Sequence, residues 1–128
     1  MTRRSESSTG ASDTRVTAVD VVALATGVRV HIGGRLDAHS VAHVREILHR
    51  VIDEGVGPVL IELPDAEIGD ATALGLLVGA HHRARRQGRE LYVGEVSERT
   101  ARLLRMSHLD RVLAQGREAT RTVAALTA

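Results

Sequence analysis

The chain has 128 residues, a formal net charge of +1 and a composition of 43% hydrophobic and 26% charged residues. This length supports one domain with its own core, and the near-neutral charge gives no case for nucleic acid or an anionic membrane. The absence of cysteine excludes disulfides, thiol nucleophiles and cysteine metal sites. All 17 basic residues are arginine, so Schiff-base and phosphate-loop lysine chemistry is excluded too. Tyr92 is the sole aromatic residue, which removes a base-stacking surface and leaves a core of Val, Leu, Ile and Ala.

Residues 1 to 13 are polar and rich in Ser and Thr, and read as a disordered tail. They lack the apolar stretch of a signal peptide, and no apolar run approaches the ~20 residues of a membrane span. The expectation is a bacterial-type soluble protein of the cytoplasm, with residues 14–128 as one domain. The stretch from Val16 to Leu24 and the alternation of Val28, Val30 and Ile32 predict a strand pair across the turn at Ala25-Thr26-Gly27, ended by Gly33-Gly34. Val41, Val44, Leu48, Val51 and Ile52 recur at helical spacing, with His43, Glu46, His49, Arg50 and Asp53 facing outward. Ser40 reads as the N-cap of that helix and Gly55 as its C-cap.

Pro58-Val59-Leu60-Ile61 is a short continuous apolar run, as expected of a strand covered on both faces. An acidic turn follows, and then a helix from after Asp70 to about Gln87, with Leu74, Leu77 and Val78 as its apolar stripe. Gly75 and Gly79 on that helix predict close packing against the sheet. Leu91-Tyr92-Val93 reads as another buried strand. Ser97 caps a third helix, Val112-Leu113 reads as an edge strand, and Arg117 to Leu126 as a final amphipathic helix. The alternation predicts a small α/β sandwich: a mixed four- to five-stranded sheet, parallel at its centre, packed by about four helices.

The chemistry concentrates at Asp70-Ala71-Thr72-Ala73. Thr72 falls on the first turn of a helix, where backbone N–H groups and the helix dipole favour negative charge. A phosphate added there is held locally and changes what the surface binds. Asp70 is the better N-cap, which leaves the Thr72 hydroxyl to point outward. His39 and His43 have i, i+4 spacing and, with Asp37, make a candidate metal site. That pattern lacks a His-Glu-x-x-His motif, and solvated histidines are the plainer reading. His81-His82-Arg83-Ala84-Arg85-Arg86 reads as a solvated basic face suited to a helix C-terminus. No nucleophile–base pair is evident, so an enzyme is not expected, and neither is a catalytic residue, a cofactor or a bound metal.

Three segments in order carry a resemblance: Gly34-Arg35-Leu36-Asp37, Asp70-Ala71-Thr72-Ala73-Leu74 and Ser107-His108-Leu109. From about Val16 to Leu126 the chain resembles STAS domains of the anti-sigma factor antagonist type. That resemblance implies a protein that binds a kinase-type anti-sigma factor, frees a sigma factor and is switched off by phosphorylation at Thr72. It implies two partners, a serine/threonine kinase and a phosphatase. It places partner contacts at Arg35, Asp37, His39, Ser40, Asp70, Ala71, Thr72 and Ala73. The chain departs from the family pattern at Ala71, which replaces a hydroxyl, at Ala73, which replaces a glycine, and at Arg35, where an acidic residue is common. The alternative is an accessory subunit of a lipid-transport ABC ATPase, in which a similar threonine contacts the ATPase unmodified.

Overall fold

The computed structural model describes residues 3–7 and 17–115. Their elements are β1 (Arg3–Ser7), β2 (Ala18–Ala23), β3 (Val28–Leu36), α1 (Val41–Glu54), β4 (Val59–Leu63), β5 (Ala66–Ile68), α2 (Ala71–Arg86), β6 (Leu91–Val96), α3 (Glu98–Met106), a 3₁₀ turn (Leu109–Arg111) and β7 (Ala114–Gln115). The strands lie in the order β1-β2-β3-β4-β6-β7, with β5 pairing β3 beyond the end of β4. β1–β2 and β2–β3 are antiparallel, and the other pairings are parallel. The class is the expected α/β with a mixed sheet, although the described residues hold more strands and fewer helices than the sequence indicates.

The core follows from patterning. Val28, Val30 and Ile32 of β3 and Val59, Ile61 and Leu63 of β4 are buried. Against them lie Val44, Ile47, Leu48 and Ile52 of α1 and Ala73, Leu77, Ala80 and Ala84 of α2. The crossovers β3-α1-β4 and β4-α2-β6 advance in one direction along the sheet. Right-handed connection therefore puts α1 and α2 on the same face, where they pack against each other.

Several expectations change. Arg3–Ser7, read as part of a disordered tail, pairs with β2 from Arg3↔Val22 to Ser7↔Ala18. Gly33-Gly34 does not end β3. Gly34 takes φ 94, a conformation natural to glycine, and the strand continues to Leu36 by exchanging β4 for β5 as its neighbour. The acidic turn shortens to Pro64-Asp65, because Ala66–Ile68 is itself a strand. The edge strand falls at Ala114–Gln115, since the 3₁₀ turn occupies the residues just before Val112. The helix expected over Arg117 to Leu126 lies outside the described residues.

Gly75 and Gly79 are exposed, and a Cβ added at either would meet nothing within 4 Å. They line the outer face of α2, so the expectation of tight packing against the sheet is overturned. Not all of the α1 polar positions face outward either: His43 and His49 are half-buried.

Candidate functional site

The parallel strands β3, β5 and β6 each run out toward the same edge of the sheet, and each is followed by a helix start. Three helix N-termini therefore gather at that edge, which is where open α/β sheets place their binding sites. Each start is capped by a different device, and two of the devices are linked.

At the start of α1 the organising residue is Asp37, not Ser40. The Asp37 carboxylate accepts from the N–H groups of His39 (2.9 Å) and Ser40 (3.3 Å). Ser40 occupies the N-cap position without capping the helix through its side chain. Its Oγ instead donates to the Arg35 carbonyl at 2.8 Å and accepts from Asp37 N–H at 3.1 Å. An aspartate three residues ahead of the N-cap position closes this kind of turn on itself, which takes the capping role from the serine. Asp37 is 8% exposed. Desolvation pushes its carboxyl up, but the N–H donors of His39 and Ser40 and the Arg35 guanidinium outweigh that and hold it below its ordinary 3.8.

At the start of α2 the expected N-cap is present. Asp70 Oδ1 accepts from Thr72 N–H at 3.0 Å, and the Asp70 carbonyl accepts from Ala73 N–H at 3.2 Å. Asp70 Oδ2 accepts from Ala38 N–H at 3.0 Å. One carboxylate thus ties the first turn of α2 to the loop that opens α1. Desolvation raises its pKa, while the donors at Ala38, Thr72 and Ala73 lower it further, for a net value below 3.8. Thr72 is exposed, as expected, and it is its backbone N–H that the Asp70 carboxylate holds. Ala71 is exposed beside it, and Ala73 is fully buried.

Arg35 lies in β3 and pairs with two carboxylates, Asp37 Oδ2 through Nε at 3.2 Å and Glu67 Oε1 through Nη1 at 3.1 Å. It is half-buried rather than part of a polar loop. Gly69 makes this crowding possible. A Cβ there would sit 3.0 Å from Asp37 Cβ and 3.1 Å from Arg35 Nε, and Gly69 N–H donates to the Leu36 carbonyl at 2.7 Å. At the start of α3, Ser97 Oγ accepts from Thr100 N–H at 3.1 Å.

The structure therefore brings Arg35, Asp37, His39, Ser40, Asp70, Ala71, Thr72 and Ala73 to one edge. Sequence reasoning missed Glu67 and Gly69 as members. Their signal was present in the motif Glu67-Ile68-Gly69-Asp70, where a glycine just ahead of a capping aspartate marks a close backbone approach. His39 and His43 do not share a helix face, because His39 lies in the turn before Val41. Among the described residues no group of three or more His, Cys, Asp or Glu is placed to hold a metal ion. No helix among them is long and apolar enough to cross a membrane.

The fold and this edge define a small α/β domain whose exposed chemistry is a hydroxyl and its capping carboxylate at a helix start. The STAS domain family model matches residues 16–125. Anti-sigma-B factor antagonists of Staphylococcus aureus (strain NCTC 8325 / PS 47) and Staphylococcus epidermidis are 32% and 35% identical over 80 residues. In each case the match spans 62% of this chain and 74% of the relative. The crystal structure of an anti-sigma factor antagonist from Mycobacterium paratuberculosis superposes with a TM-score of 0.75 at 15% identity, covering 85% of this chain and 92% of the other. The anti-sigma factor antagonist SpoIIAA in its unphosphorylated form gives 0.67 at 18% identity, covering 84% and 96%. The chain belongs to the STAS domain family, among its anti-sigma factor antagonists.

Proposed function

We propose that this protein binds a serine/threonine-kinase anti-sigma factor while Thr72 is unmodified, so that a sigma factor is freed, and that phosphorylation of Thr72 ends the interaction. The observation that carries the reading is an exposed threonine on the first turn of α2, directly after the capping carboxylate of Asp70. In the transfer, Thr72 Oγ1 forms a bond to the γ-phosphorus of ATP, ADP leaves, and the hydroxyl proton passes to a base on the kinase. ATP and its metal belong to the kinase, so no cofactor is assigned to this chain. The new phosphate brings a charge of about −1.5 to −2 into a contact surface, where desolvation and like charge oppose binding. A phosphatase resets the protein.

Support comes from three directions. Relatives over 30% identical carry the name anti-sigma-B factor antagonist. A structural neighbour, the Bacillus cell-fate determinant SpoIIAA, has been solved in a phosphorylated form. The outer face of α2 below Thr72 is also smooth at Gly75 and Gly79, which lets a partner approach that helix. The partner surface in this reading comprises Arg35, the Asp37–Ser40 loop and Asp70–Thr72; Ala73, expected there from the sequence, is buried beneath it and offers a partner no contact.

The test is incubation of the wild type and Thr72→Ala with the cognate anti-sigma kinase and ATP, followed by intact-mass measurement. One phosphate on the wild type and none on Thr72→Ala is expected. Equal incorporation in both, or none in either, would overturn the assignment.

A further inference from the structure

We infer that Asp70 is a positioning residue that relays the state of Thr72 to the α1 loop, because a phosphate on Thr72 pulls the Asp70 carboxylate off Ala38 N–H. The inference rests on the proposed role of Thr72 and adds a mechanism for how one phosphate reaches a second part of the surface.

Three hydrogen bonds define the starting state. Asp70 Oδ1 holds Thr72 N–H at 3.0 Å, and Oδ2 holds Ala38 N–H at 3.0 Å across 32 residues of sequence. The backbone carbonyl of Asp70 receives Ala73 N–H. The carboxylate is therefore a bridge between two helix starts, and one end of it is held by the backbone of the residue that would be phosphorylated.

Phosphorylation sets a second anion beside that bridge. The neutral hydroxyl of Thr72 becomes a phosphate ester that carries only acceptor oxygens at its dianionic stage. Two anions then compete for the same N–H groups at the first turn of α2. The phosphate has the larger charge and is tethered on the first turn of the helix, where the dipole and the N–H groups of that turn favour it. Asp70 is exposed and can swing into water. The nearby acids offer it no new partner, since Asp37 and Glu67 are carboxylates too. Arg35, the cation close by, is already engaged by both of them.

The consequence falls on Ala38. Its N–H loses a charged acceptor, and the loop from Asp37 to Ser40 loses its tie to α2. The turn itself survives, because Asp37 still accepts from His39 and Ser40. What changes is the position of that loop relative to Thr72. A partner that reads both elements together then meets a rearranged surface as well as a repulsive charge.

The experiment uses full-length protein with threonine or phosphothreonine placed at position 72 during translation, so that no kinase is needed. Amide NMR reads Ala38 directly. With phosphothreonine, the Ala38 amide proton should move upfield and exchange at least about tenfold faster, while the His39 and Ser40 amides keep their protection. In an Asp70→Ala background the Ala38 amide should already be in that altered state, and the phosphate should add nothing further there. An Ala38 resonance indifferent to the phosphate in the native background would overturn the inference, and that comparison needs no variant to fold. A phosphate effect on Ala38 of equal size in Asp70→Ala would overturn it as well, because the relay would then bypass Asp70. Neither result bears on whether a kinase labels Thr72, which the intact-mass experiment decides separately.

Discussion

The two ends of the sheet solve the same electrostatic problem in opposite ways. At the edge that carries Thr72, carboxylates accept from the N–H groups of helix starts, and Asp70 does so while exposed to water. At the other edge Arg89 donates to the carbonyls that end α1. Its Nη1 reaches Val51 and Ile52 at 2.9 Å each, Nη2 reaches Val56 at 3.1 Å, and Nε reaches Gly57 at 2.7 Å. Arg89 is 4% exposed, and its burial lowers its pKa. Both arrangements complement the helix dipole. The buried one is closed on four carbonyls and serves stability. The exposed one can be rebuilt by a single added charge, and the proposed switch sits there.

A cleft of about 670 Å³ opens beside Arg89, between the β2–β3 turn and the end of α1. Its walls include Val21, Leu24, Val51 and Val56, and Val56 is 85% exposed. The stable end is thus not a solid block. Arg89 holds the α1 terminus and the following loop in place next to open space.

The comparison breaks first at Arg89. Arg89→Met keeps most of the side-chain volume but strands four carbonyls, and should cost about 2–4 kcal/mol of stability in urea unfolding. Partner affinity per folded molecule should not change, because the site lies at the opposite edge. A loss below about 0.5 kcal/mol would show that water replaces the guanidinium without penalty.

The second test is at Arg35. Arg35→Ala removes both ion pairs of a half-exposed side chain, so stability should fall by less than about 1 kcal/mol. Binding of an acidic partner should weaken by about 1–3 kcal/mol in calorimetry if the guanidinium is desolvated in the complex. Unchanged affinity would remove Arg35 from the contact surface.

The third uses the outer face of α2. Nothing lies within 4 Å of a Cβ added at Gly79, so Gly79→Ala should raise stability by about 0.5–1 kcal/mol through helix propensity alone. Destabilisation would mean that the face is covered in solution.

The smallest effect is expected from acid. The Asp37 and Asp70 carboxyls are both held below 3.8, so near that pH the unfolded chain binds more protons than the folded one. Their contribution is present above the unfolded value and is lost as pH falls through the lowered values. The urea midpoint of the wild type should drop faster between pH 5 and 3, a range set roughly by the carboxylate reference values, than that of Asp37→Asn/Asp70→Asn. Parallel curves would contradict the hydrogen-bond assignment.

Much of this was legible in the residues. The helical spacing of Val41, Val44, Leu48, Val51 and Ile52 places α1, because a long amphipathic pattern has one solution. Asp70 and Ser97 announce their helices because an acceptor side chain at the N-cap meets free N–H groups wherever it occurs. β5 is three residues long, and a strand that short carries no period. Gly33-Gly34 looks like a stop, since nothing local tells that β3 exchanges one neighbour for another. The Ala38–Asp70 bridge joins residues 32 apart, and only the fold brings them together. Arg89 was silent for the same reason: its four acceptors belong to the end of α1 and the loop that follows.

The most direct measurement of the central claim is calorimetric titration of the anti-sigma factor with two versions of this protein, one carrying threonine and the other phosphothreonine at position 72. The account predicts that the phosphate weakens binding by about tenfold or more, a loss of at least about 1.4 kcal/mol. Equal affinity of the two versions would contradict it, because the edge of the sheet that holds Thr72 would then carry no switch.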